Sequence, residues 1–201
     1  STGKADTLYA YDNFNNRTVT CLDLNEDGDI DTVSVDRLNE SVTSFVNESS
    51  VWYLVTENKA YNESGNAVTT GITKKQLTGL ASGTIANTIS IDINDNETVS
   101  TTTLNRTNKT VTQTVNTPDS NVDAVSTTVN GLLTSQRTKE NLTYEFSCDA
   151  LGRKTGDIDP RTGESVTHYN SLGQVDYVED AAGKRTSFTY ESSTGRRASV
   201  V

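Results

Sequence analysis

The 201-residue chain has no methionine, two prolines, two cysteines, one histidine and one tryptophan. Each scarcity excludes something. With so little proline and so many β-formers, the chain does not read as a disordered or linker segment. The single histidine, His168 in Val166-Thr-His-Tyr169, leaves little material for acid–base or nucleophilic catalysis. No Gly-x-Ser-x-Gly elbow, Gly-x-Gly-x-x-Gly turn or phosphate-binding loop is written anywhere. The chain is therefore read as no enzyme, with no catalytic residue. Aromatics are 6 % of residues, and Trp52-Tyr53 reads as core rather than as a sugar-stacking platform. No apolar run reaches the length of a membrane span, and no signal-peptide pattern opens the chain. The missing initiator methionine implies a removed leader or a piece of a longer chain. An exported protein at the cell surface or outside it is the expectation.

Positive charge is also scarce. Seventeen Lys and Arg face 27 Asp and Glu, for a net charge of -10. Such a surface repels a phosphate backbone, which excludes nucleic-acid partners. Hydrophobic residues make up 32 %, low for a globule. A thin core follows, or burial shared between chains.

What is present is strand writing. Thr and Val alternate, as in Thr110-Val-Thr-Gln-Thr-Val115. Strands are expected at Thr7–Tyr11, Thr18–Asp23, Asp31–Arg37, Val42–Asn47, Val51–Glu57, Thr84–Ile93, Thr98–Leu104, Lys109–Val115, Asp123–Val129, Leu132–Arg137 and Leu142–Phe146. Polar turns separate them, and Asn130-Gly131 is a strong hairpin signal. The best helical candidate is a single turn over Thr73–Leu80. The expected fold is all-β: a β-sandwich or jelly-roll-like body over residues 1–143, followed by a tail of hairpins over residues 144–201.

The tail carries a decayed repeat. Phe146-Ser-Cys-Asp-Ala-Leu-Gly-Arg153, Tyr169-Asn-Ser-Leu-Gly-Gln174 and Tyr190-Glu-Ser-Ser-Thr-Gly-Arg196 align, with glycines 152, 173 and 195 spaced by 21 and 22 residues. Gly163 and Gly183 fall near half-period. Each unit reads as strand, tight turn, strand. This pattern resembles the RHS/YD-repeat family of extracellular β-rich proteins, most clearly at Cys148-Asp-Ala-Leu-Gly-Arg153. Asn170 and Glu191 stand where that family has Asp. The resemblance implies hairpin geometry, while three units are too few to enclose a cargo. Their strands lack an obvious second layer, so the tail is expected to dock on a body. Docking on a neighbouring copy, as donor strands do in pilus-like fibrils, would make a head-to-tail homopolymer; docking on its own body is the alternative. Read as a whole, the chain is a structural subunit of an extracellular fibril. An adhesion module that binds glycans or surfaces, or a fragment of a larger RHS/YD-repeat protein, is the alternative.

Three further features bear on that reading. In Asp23-Leu-Asn-Glu-Asp-Gly-Asp-Ile-Asp31, oxygen donors alternate at Asp23, Asn25, Asp27, Asp29 and Asp31, and Gly28 allows a sharp turn. Ca²⁺ takes six to eight such oxygens. The run resembles the acidic loops of FG-GAP/VCBS repeats, which implies a calcium loop between strands; an acidic turn with solvated charges is the alternative. Eight Asn-x-Ser/Thr sequons begin at Asn16, Asn39, Asn47, Asn62, Asn96, Asn105, Asn108 and Asn141. Chance predicts about five, so covalent N-linked glycans on exposed turns are expected. Cys21 and Cys148 are expected to form a disulfide within or between chains, with two buried free thiols as the alternative.

Overall fold

The structure, a computed structural model, describes residues 5–201. Short runs of β-branched residues punctuated by Asn, Asp and Gly have the local chemistry of hairpins. Accordingly, the described residues form sixteen antiparallel strands and no helix. These are β1 (Asp6–Tyr11), β2 (Arg17–Asp23), β3 (Arg37–Glu48), β4 (Val51–Tyr61), β5 (Ala67–Gln76), β6 (Thr84–Asp92), β7 (Glu97–Asn105) and β8 (Thr110–Asn116). Then follow β9 (Ala124–Val129), β10 (Leu132–Arg137), β11 (Thr143–Cys148), β12 (Lys154–Asp159), β13 (Gly163–Tyr169), β14 (Val175–Glu179), β15 (Arg185–Tyr190) and β16 (Arg197–Val200). Their order in the sheet is their order in the chain, and the sheet is not closed.

That order replaces the expected sandwich. A jelly roll needs spatial neighbours that are distant in sequence. Here each strand is hydrogen-bonded to the next one along the chain. Most connections are short turns, so each strand meets its predecessor before a crossover can form. The chain divides into two compact units, one up to Thr101 and one from Thr102. The body–tail junction expected after residue 143 falls at the start of β11, which pairs with β10 through Ser135↔Glu145 and Arg137↔Thr143.

In the first unit, β3 and β4 pair from Asn39↔Ala60 to Glu48↔Val51, joined by Ser49 and Ser50, both at positive φ. Two local expectations fail here. Thr73–Leu80 is not a helical turn: β5 runs through Gln76, its β-branched Thr73 and Ile72 laddered against Thr56 and Glu57 of β4. Asp31–Arg37 is loop up to Asp36, because that carboxylate turns back to accept the Leu24 N–H at 2.8 Å.

Burial is sparse. Cys21 and Leu38 are the buried apolar side chains among the described residues, and they face each other across β2 and β3. The accessible surface is 13380 Å², against about 9,300 Å² for a compact monomer of this mass. Trp52, expected in a core, is 46 % exposed. In the second unit, β11, β13 and β15 alternate strictly. Tyr144, Phe146, Tyr169, Phe188 and Tyr190 are half-buried, and Glu145, Glu164, Val166 and His168 are exposed. One face of these hairpins is aromatic and the other polar.

Candidate functional site

The recurring device is a turn. Among the described residues, seven hairpins close in the same way, starting at Asp12, Asn62, Asp92, Thr138, Asp149, Asn170 and Asp180. In each, the first residue's N–H donates to the carbonyl of the fifth, and the fourth residue's N–H donates back to the carbonyl of the first. The fourth residue is left-handed: Asn15, Gly65, Asp95, Asn141, Gly152, Gly173 and Gly183. This is a type I turn with a left-handed bulge. In the six turns that begin with Asp or Asn, Oδ1 accepts the N–H groups of the third and fifth residues at 2.8–3.0 Å. One short side chain thus satisfies two turn donors that no ladder reaches.

Three of these turn carboxylates, Asp12, Asp92 and Asp149, are held in their charged form. The side-chain amide of Asn16 keeps Asp12 below the usual carboxylate range, and that of Asn96 does the same for Asp92. For Asp149 the leading cause is Arg153, whose Nε and Nη2 reach Oδ2 at 2.7 and 2.6 Å.

In the second unit these turns stack. The Arg153 guanidinium lies over the Tyr169 ring, 4.2 Å from its centroid. A Cβ added at Gly173 would lie 3.2 Å from Arg153 Nη1. Tyr169 Oη donates to the Lys154 carbonyl at 2.8 Å. One unit later the pattern repeats. Tyr190 Oη donates to the Val175 carbonyl at 2.9 Å, and Gln174 Nε2 donates to the Gly195 carbonyl at 3.1 Å. In the turns at Asp149 and Asn170, the fifth residue therefore reaches the glycine of the next repeat unit, and the carbonyl of the sixth takes its tyrosine. The aromatic and Gly-Arg positions of the repeat form a structural spine.

In the acidic loop, backbone N–H groups donate to the carboxylates of Asp23 and Asp27. Asp23, 2 % exposed, takes the Glu26 N–H on Oδ1 at 2.7 Å and the Gly28 N–H on Oδ2 at 2.9 Å. Asn25 Nδ2 donates to Asp27 Oδ2 at 2.6 Å, and Asp27 Oδ1 accepts the Asp29 N–H at 2.9 Å. Asp29 and Asp31 are exposed. Among the described residues no three His, Cys, Asp or Glu side chains converge to hold a metal. The five expected ligands share a loop, but N–H groups close it. Asp36, absent from the sequence-level site, is the second buried acid. Burial alone would raise its pKa, yet hydrogen bonds led by the Leu24 N–H hold it below the ordinary range. Among the described residues its Oδ2 has no hydrogen-bond partner. Burial pushes the neighbouring Cys21 thiol up, with Asp36 and Asp23 adding to the effect.

Cys21 and Cys148 are both free thiols in this structure, on β2 and β11. All eight sequon asparagines, 16, 39, 47, 62, 96, 105, 108 and 141, are exposed. Asn39 and Asn47 lie on β3 and the others at turns or strand ends. His168 stacks on Tyr177 at 4.9 Å and meets Asp176 Oδ2 at 3.2 Å on the polar face. A depression of about 170 Å³ beside Gly156 is lined by Glu145, Ser147, Ile158 and Glu164. The missed signal was the turn itself. An Asx residue followed three positions later by Gly, Asn or Asp marks hairpins well outside the C-terminal quarter. No protein-family model and no curated protein matches the chain.

Proposed function

We propose that the chain is a structural protein, a sheet-forming subunit of an extracellular glycosylated filament. One observation carries this reading: a sequential sixteen-strand sheet, open at β1 and β16, with two buried apolar side chains among the described residues. A single layer this exposed needs partners on its faces or edges. The spine of stacked turns supports lateral extension, because the turns at Asp149 and Asn170 each hold the following repeat unit. The exposure of every sequon asparagine supports glycosylation.

A second reading is a section of a longer RHS/YD-type wall. The recurrence of one turn geometry in both units favours it. Electron microscopy of the purified chain, with intact-mass measurement of native material, tests both. Filaments together with added hexose mass support the subunit reading. Monomers at every concentration sink it. A native mass well above 21.8 kDa plus glycan, without assembly, supports the wall.

A further inference from the structure

We propose that β16 of one copy pairs antiparallel with β1 of a second copy, with Arg196 opposite Tyr11 and Val201 opposite Asp6. The proposal rests on the filament reading and supplies its joint.

The spine sets the register. Arg153 follows the left-handed Gly152 and covers Tyr169, the residue before the next turn. Arg196 holds the same place after Gly195, yet among the described residues it meets no ring and no carboxylate. Tyr11 holds the place of Tyr169, directly before the turn at Asp12. It is 55 % exposed, and among the described residues no cation covers it. One residue lacks its ring and the other lacks its cation.

The same arrangement fixes the rest of the register. The Arg153–Tyr169 arrangement goes with the pairing Gly156↔Val166. Carried over, it pairs Ser199 with Leu8, Val200 with Thr7 and Val201 with Asp6. All four residues of β16 then lie opposite residues of β1.

Hydrogen-bond direction agrees. Val201 and Ser187 exchange both backbone bonds, at 2.7 and 3.0 Å, so the Val200 N–H points to the open edge. Asp12 donates inward to the Asn16 carbonyl at 2.9 Å. Alternation along β1 then turns the N–H groups of Tyr11, Tyr9 and Thr7 outward. The register brings Val200 opposite Thr7, outward group to outward group. Charge is complementary as well: residues 196–201 hold two arginines and no acid, and residues 6–12 hold two aspartates and no base.

Single blocked edges test the joint. Val200→Pro removes an outward donor from β16, and Thr7→Pro removes one from β1; neither touches an inward bond. Circular dichroism and a cooperative thermal melt report that each variant is folded. In sedimentation velocity, each variant alone is expected to stay monomeric. An equimolar mixture is expected to form heterodimers and stop there, while the unmodified chain assembles further. Arg196→Glu should weaken that assembly about tenfold, with Arg196→Lys intermediate. Assembly that survives both proline changes would overturn the joint and leave the filament reading standing. A variant that dimerises with itself would also overturn it. An unmodified chain that stays monomeric would remove both joint and filament.

Discussion

Asp12, Asp92 and Asp149 open their turns with a carboxylate, whereas Asn62 and Asn170 do the same with an amide. The oxygen that accepts is equivalent; the response to acid is not. Each of the three carboxyls has a folded pKa below its ordinary value. Such a group stabilises the fold fully above its unfolded pKa and loses that contribution as pH falls through the folded one. The melting temperature is therefore expected to fall as the pH drops below about 4. The double change Asp12→Asn and Asp92→Asn should flatten the decline in the first unit, because Asn keeps the Oδ1 acceptor and cannot titrate. A thermal-melt series across that range measures it. The two thiols give a second residue-scale test. Cys21 is fully buried and its thiol is pushed up in pKa, while Cys148 is half-buried. A maleimide at neutral pH should label Cys148 alone, and label both only in denaturant; two labels on the folded protein would contradict this burial.

At the scale of turns and strands, Gly173 is the most exacting position of the spine. Its φ of 81° disfavours any side chain, and an added Cβ would press on Arg153. Gly173→Ala should cost about 1–2 kcal/mol, and a melt within error of the parent would show that the stack carries no strain. For the acidic loop, Asp23 already has an N–H donor on each oxygen, so chelation should leave the melting temperature unchanged. A drop on chelation, restored by Ca²⁺, would mean that the loop re-forms around a cation. These elements also show what could be read beforehand. The tail hairpins were legible because Gly152, Gly173 and Gly195 mark left-handed positions directly. The same turn was hidden at Asn15, Asp95 and Asn141, where a tolerant polar residue takes the glycine's place. Alternation identifies a strand but not its neighbour, which is why a sandwich was expected where the strands pair in sequence. Asp36 was illegible for a related reason: its value lies in a bond to Leu24, twelve residues away.

For the whole molecule, sequential pairing makes contacts local, and local contacts favour fast folding from any hairpin outward. Deleting one complete repeat unit, residues 150–170, should leave a folded β protein, since it removes two adjacent strands and lets β11 meet β14 antiparallel. Circular dichroism and a cooperative melt would check this; an unfolded product would mean that the spine must be continuous. Sequential order has a mechanical side too. Ladder hydrogen bonds run across the strands, so a pull directed across the sheet loads one ladder at a time. Tension on such a material peels hairpins in succession, each of about twenty residues paying out about 70 Å of chain. A thread of these subunits would stretch by yielding and re-zipping, and would absorb a sudden load instead of snapping under it.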